Sequence, residues 1–252
     1  VKISIVTATY NSAATIADCL ESVAIQTQPV EHIIVDGASG DGTLGIVRRL
    51  APQARIVSEP DNGIYDAMNK GIRLATGDVV GLLNSDDFYV DGRVLEKVAA
   101  VFADPAVDAM FADLVYVRPD NLERVVRYYS GAGFTPEKFA WGWMPPHPTF
   151  FVRRQAYERC GLFRTDYRIA ADYELTARFL ARYRLRYVYL PEVLVRMRTG
   201  GLSTRGLKSN WILNREILRA CAENGIKTNM LMVYAKYFSK IFQLVSRPPC
   251  KC

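Results

Sequence analysis

The chain has 252 residues, 50% of them hydrophobic, and carries 32 basic and 26 acidic side chains. That is enough to bury the core of one large α/β domain or two small ones. No window reaches the roughly 18 uninterrupted apolar residues of a membrane-spanning helix, and the first residues lack the basic, apolar, small-residue order of a secretory leader, so the expectation is a cytoplasmic protein. The five cysteines, Cys19, Cys160, Cys221, Cys250 and Cys252, are scattered apart from a terminal Cys-x-Cys without a second ligand pair, and read as reduced thiols.

Charge is unevenly placed. Residues 1–150 hold 12 basic and 19 acidic side chains, and residues 151–252 hold 20 and 7. An acidic half suits a cation, and a basic half suits phosphate or an anionic membrane surface. Nucleic acid is not the expected partner, because the basic residues are not interleaved with stacking aromatics.

Along the chain, Lys2–Thr7 reads as a strand and Thr15–Gln26 as a helix, with Ile16, Leu20 and Val23 at helical spacing. The unit recurs: Ile33–Val35 runs into the glycine-rich turn Asp36–Thr43, then a helix bearing Leu44, Val47 and Leu50, then the short strand Arg55–Val57. A third helix over Ile64–Ala75 stops at Gly77, and Val79–Leu83 is an apolar run suited to a strand buried on both faces. Such alternation predicts an α/β fold with a mostly parallel sheet. Farther on, strands are expected at Met110–Val117, Thr149–Val152 and Tyr187–Leu190, and helices near Arg154–Cys160 and Tyr173–Arg182. Polar clusters at Thr7–Asn11, Asp36–Thr43 and Asn84–Asp87 follow the carboxyl ends of three strands, where open α/β sheets bind ligands.

The turn Asp36–Thr43 is a strand-to-helix loop whose glycines allow close backbone approach to a ligand, or else a tight turn in which Asp41 or Thr43 caps a helix. In Asn84-Ser85-Asp86-Asp87, adjacent carboxylates at the mouth of an apolar strand repel one another, and a hard cation, Mn²⁺ or Mg²⁺, relieves this.

Four segments in order, Thr7–Asn11, Asp36–Thr43, Asp61–Gly71 and Asn84–Asp87, resemble glycosyltransferase family 2 over about residues 2–205. The resemblance implies a GT-A fold in residues 1–205 with a helical extension over 206–252. It also implies a nucleotide-sugar donor with UDP favoured, inversion at the sugar carbon, and a glycan or lipid-linked acceptor. Carried over by position, Thr7, Tyr10, Asn11, Asp36, Asp61 and Ser85 belong to the nucleotide pocket, with Asn69 and Lys70 supporting the donor loop. Asp86 becomes the principal metal ligand with Asp87 as helper, because Asn84 stands where the family has the first carboxylate of Asp-x-Asp. Asp172, in Ile169–Leu175, resembles the family's catalytic base, with Glu174 as the competing carboxylate. His147, Trp143, Arg198 and Ser203 are candidates for contact with acceptor or phosphate. Apolar residues from Leu231 to Val245 recur at helical spacing beside lysines, so 226–247 reads as a basic amphipathic helix for peripheral membrane contact or as a helix docked on the domain. The rival reading is a catalytically silent membrane-associated module of polysaccharide assembly.

Overall fold

In the computed structural model, which describes residues 1–200 and 207–235, one mixed nine-stranded sheet carries helices on both sides. Its first half is the predicted alternation: β1 (Ile3–Thr9), α1 (Ile16–Ala24), β2 (Val30–Asp36), α2 (Thr43–Leu50), β3 (Arg55–Ser58), α3 (Ile64–Leu74) and β4 (Val79–Leu82). Then follow β5 (Asp87–Tyr89), α4 (Val94–Val101), β6 (Ala109–Arg118), β7 (Asn121–Tyr129), β8 (Phe151–Arg153), α5 (Arg154–Cys160), α6 (Ala171–Ala177), β9 (Tyr187–Arg198) and α7 (Leu207–Glu223). The spatial order is β3-β2-β1-β4-β8-β6-β9-β5, with β7 on β6.

Strands β1 to β4 are mutually parallel, as β-α-β crossovers require. Strand β8 enters antiparallel between β4 and β6, which makes the sheet mixed. Every residue of β1 is buried, in keeping with its small and β-branched side chains. Helix α3 lies unusually close to it: a Cβ added to Gly71 would overlap Val6 Cγ1.

Two expectations change in detail. The helix expected over Tyr173–Arg182 is α6 followed by a π-helical turn, Arg178–Arg182. Asp87 is not in a loop, because it begins β5 and pairs with Met197 of β9.

Candidate active site

The carboxyl ends of β1 and β4, the start of α3, and the turns before β8 and α6 enclose a cavity of about 730 Å³. Tyr10, Asn11, Asp61, Asn84, Ser85 and Asp86 line one part of it, and His147, Arg168 and Asp172 line another.

At the first end, Asn11 adopts φ 49°, a left-handed conformation that Asn tolerates better than most residues. There its N–H donates to Ser39 Oγ at 2.8 Å and its Oδ1 accepts from Gly40 N–H at 3.0 Å. Ser12 N–H donates to Thr43 Oγ1 and Ala13 N–H to Asp41 Oδ2. The two loops are thus stitched into one wall. A Cβ on Gly37 would stand 2.5 Å from Asp61 Oδ2 and 3.3 Å from the Tyr10 ring, so a side chain here would displace the Asp61 carboxylate from its place over this loop beside the 64%-exposed Tyr10.

The turn Asn84–Asp87 is held from several sides. Asp87 N–H donates to Asn84 O at 3.0 Å, and the hydroxyls of Ser85 and Ser12 lie 2.9 Å apart. Arg198, 7% exposed, donates to Asp86 O at 2.6 Å, reaches Asp18, and lies 5.1 Å over the Phe88 ring. Asn84 Nδ2 donates to Asp87 Oδ2 at 3.1 Å, which leaves Asn84 Oδ1 and Asp87 Oδ1 buried without partners. Burial, with the charge of Asp86 adding to it, pushes the Asp87 carboxyl well above the usual carboxylate range.

The cavity offers a cation the Asp86 carboxylate and the orphaned Asn84 Oδ1, both oxygen donors of the kind Mn²⁺ and Mg²⁺ take. Among the described residues no group of three His, Cys, Asp or Glu side chains could hold a metal alone. This donor set fits a cation that completes its shell with diphosphate oxygens.

At the other end, Asp172 is the second residue of α6. Its Oδ1 accepts from Tyr173 N–H at 2.8 Å, and its Oδ2 lies 3.4 Å from His147 Nδ1. His147 opens a 3₁₀ turn, His147–Thr149, closed by Phe150 N–H donating to His147 O at 3.0 Å. Pro146 precedes this turn and Pro148 lies within it, and its histidine faces the carboxylate. Both partners retain solvent contact, at 31% and 25% side-chain exposure. Tyr65 of α3 donates to Ile169 O, and burial with the nearby Asp172 charge keeps its phenol protonated.

Several expected site residues lie outside the cavity lining. Thr7 is fully buried, with its hydroxyl 3.0 Å from His32 Nε2. Asp36 is buried and accepts from Ser39 and from Ser58 Oγ at 2.7 Å, so it shapes the loop from beneath. Asn69 clamps the Phe163 main chain in both directions, at 2.8 and 2.9 Å. Lys70 pairs with Glu59 at 2.8 Å and donates to Pro60 O. Asp87 is fully buried under the turn and, unlike Asn84 and Asp86, does not line the cavity. Glu174 is 2% exposed, is locked to Arg178 at 2.9 Å and does not line the cavity, whereas Asp172 does. Trp143 stacks on Phe134, with Lys138 Nζ 5.0 Å from its ring. Arg198 braces Asp86 rather than opening to the cavity. Ser203 lies outside the described residues.

Arg168 and Tyr65 line the cavity and were not among the sequence candidates. Arg168 stands four residues before Asp172, and that proximity was the available signal.

The sequence model described as Glycosyl transferase family 2 matches residues 4–161. The chain belongs to glycosyltransferase family 2. A PGL/p-HBAD biosynthesis glycosyltransferase of Mycobacterium bovis is 32% identical over 222 residues, covering 86% of this chain and 82% of that protein. An uncharacterized glycosyltransferase of Mycobacterium tuberculosis is 32% identical over 181 residues, covering 70% and 68%. Among solved structures, S. aureus TarS 1-349 in complex with UDP-GlcNAc superposes with TM-score 0.69 at 19% identity, over 96% of this chain and 73% of that 1-349 chain. The mannosyltransferase PcManGT of Pyrobaculum calidifontis, in complex with GDP-Man and Mn²⁺, gives 0.66 at 24% identity, over 97% and 72%. The fold of this family 2 glycosyltransferase is accordingly GT-A.

Proposed function

We propose that this family 2 glycosyltransferase moves one sugar, with inversion, from a nucleoside-diphosphate sugar to a hydroxyl of a glycan or lipid-linked acceptor. The observation that carries this reading is a single cavity with the Asp86 turn at one end and the Asp172–His147 pair at the other. Tyr10, Asn11 and Asp61 frame the nucleotide. Asp86 and Asn84 hold the diphosphate end, and a divalent cation, Mn²⁺ or Mg²⁺, when bound there with the donor, supplies positive charge to the leaving group.

Asp172 accepts the proton of the acceptor hydroxyl as its oxygen bonds to the sugar carbon. The bond from that carbon to phosphate breaks, and its electron pair leaves with the nucleoside diphosphate. A single base suffices, because the leaving group departs as an anion. The neighbouring His147 orients the Asp172 carboxylate, and Arg168 adds a cation to the same wall.

UDP is the favoured nucleotide, supported by the UDP-GlcNAc complex of TarS, while the GDP-Man complex of PcManGT keeps GDP in the comparison. The name of the mycobacterial relative, PGL/p-HBAD biosynthesis, supports an acceptor in glycolipid or polysaccharide assembly. Such an acceptor suits an enzyme resting at the inner face of the cytoplasmic membrane.

The test is a thermal-shift panel of UDP, GDP and dTDP with and without Mn²⁺, followed by turnover of the nucleotide sugar that stabilises the fold. Asp172→Asn should keep the metal-dependent shift and lose about 10²-fold or more in turnover. A chain that no nucleotide stabilises would instead favour the silent module.

A further inference from the structure

The segment that brings Arg168 and Asp172 to the cavity is not secured by the sheet. It is gripped by α7, beyond the stretch that the family model matches. Glu216 Oε1 accepts from Arg168 N–H at 2.7 Å, and Oε2 accepts from Ile169 N–H and Ala170 N–H, both at 2.9 Å. These are consecutive amides of the turn leading into α6, so one carboxylate fixes three peptide planes at once. Charge-assisted bonds of this kind are roughly twice as strong as neutral ones.

The same turn is held from the opposite side, where Tyr65 of α3 donates to Ile169 O. Asp172 follows three residues after Ile169. A turn pinned between α3 and α7 leaves the Asp172 backbone little room to shift.

We propose that Glu216 is a positioning residue for Asp172: the α7 carboxylate sets the peptide planes of 168–170 and thereby aims the base at the acceptor oxygen. This rests on the reading of Asp172 as the base. A displacement of about 1 Å in such a group costs on the order of 10²-fold in rate. The effect belongs in turnover and not in donor affinity, since the hydrogen bonds of Glu216 run to the backbone of residues 168–170.

The experiment uses the full chain with UDP-GlcNAc or GDP-mannose, whichever stabilises it, with Mn²⁺ present and nucleotide release to water as the readout. Glu216→Ala and Glu216→Gln should each lower kcat by about tenfold or more while donor KM stays within about twofold. The glutamine variant is informative because its amide NH₂ would face backbone N–H groups. Glu216→Asp should recover part of the rate.

Arg219→Ala is the control for simple loss of stability. Arg219 is on the same helix and pairs with Asp166 and Glu223, but it bonds to none of residues 168–170. It should lower Tm and leave kcat within about twofold. Glu216→Ala with parental kcat, or Arg219→Ala with an equal fall, overturns the proposal. If Asp172→Asn itself retains parental release, the reading of the base fails. If Asp172→Asn is inactive and Glu216→Ala is fully active, the positioning role alone fails.

Discussion

Two adjacent carboxylates separate into different physical environments in the turn after β4. Asp86 lines the cavity, whereas Asp87 is fully buried with one unpartnered oxygen. Asp86→Asn should therefore abolish the Mn²⁺-dependent part of nucleotide stabilisation, and Asp87→Asn should retain it, as read by thermal shift. Because burial raises the Asp87 carboxyl above its unfolded value, the folded state holds that proton more tightly. Its contribution is present at low pH and is lost as pH rises above the unfolded value of about 4. Asn at 87 should remove that decline. His32 works in the opposite direction. Burial lowers it to about 4, so the unfolded chain takes up the proton first as pH falls below about 6.5. Stability should drop by up to about 3 kcal/mol between pH 6.5 and 4, and His32→Gln should flatten that part of a urea-midpoint profile. Asp172 and His147 were both legible as residues, but their 3.4 Å pairing was not. It joins positions 25 apart through a 3₁₀ turn and a helix start, which no local periodicity encodes.

Among the elements, the β-α alternation of the first 82 residues was legible because buried parallel strands and amphipathic helices write different periods into sequence. Strand β7 was not, since Asn121–Tyr129 is mostly exposed with Tyr128 its one buried residue; among the described residues it pairs with β6 alone. Helix α4 was also missed, although Val94, Leu95 and Val98 are buried at helical spacing. The seat of α3 depends on one missing side chain, at Gly71. Gly71→Ala should push Val6 or the helix aside and destabilise the fold by about 1–3 kcal/mol, measured as a lower urea midpoint with an unchanged m-value. Ile64 and Tyr65, at the start of the same helix, line the cavity, so nucleotide-induced stabilisation should weaken as well.

Across the molecule, the surplus of basic residues beyond position 150 combines with exposed apolar side chains near the end of the described chain. Leu231 is 84% exposed and Trp211 54%, with Arg215 lying 4.7 Å from the Trp211 ring. Among the described residues no helix is long and apolar enough to cross a membrane. A surface attachment of the kind proposed should be largely electrostatic. The full chain should co-sediment with phosphatidylglycerol vesicles and not with phosphatidylcholine vesicles, and release as salt rises from about 0.05 to 0.5 M. The sequence stripe that suggested this continues to Val245, where Phe238, Phe242 and Val245 lie outside the described residues.

The bracing of Asp86 by Arg198 has a bearing on synthesis. The Asn84–Asp87 turn that lines the cavity is complete by residue 87, yet its support arrives with β9, more than a hundred residues later. During translation the early strands can pair as they emerge, but this turn must wait for late chain. A nascent or truncated chain that stops at residue 161, although it contains the whole stretch matched by the family model, would lack both β9 and α7. It should therefore fail to bind nucleotide with metal. On the function proposed above, a chain cut before β9 would present the Asp86 turn without its Arg198 brace.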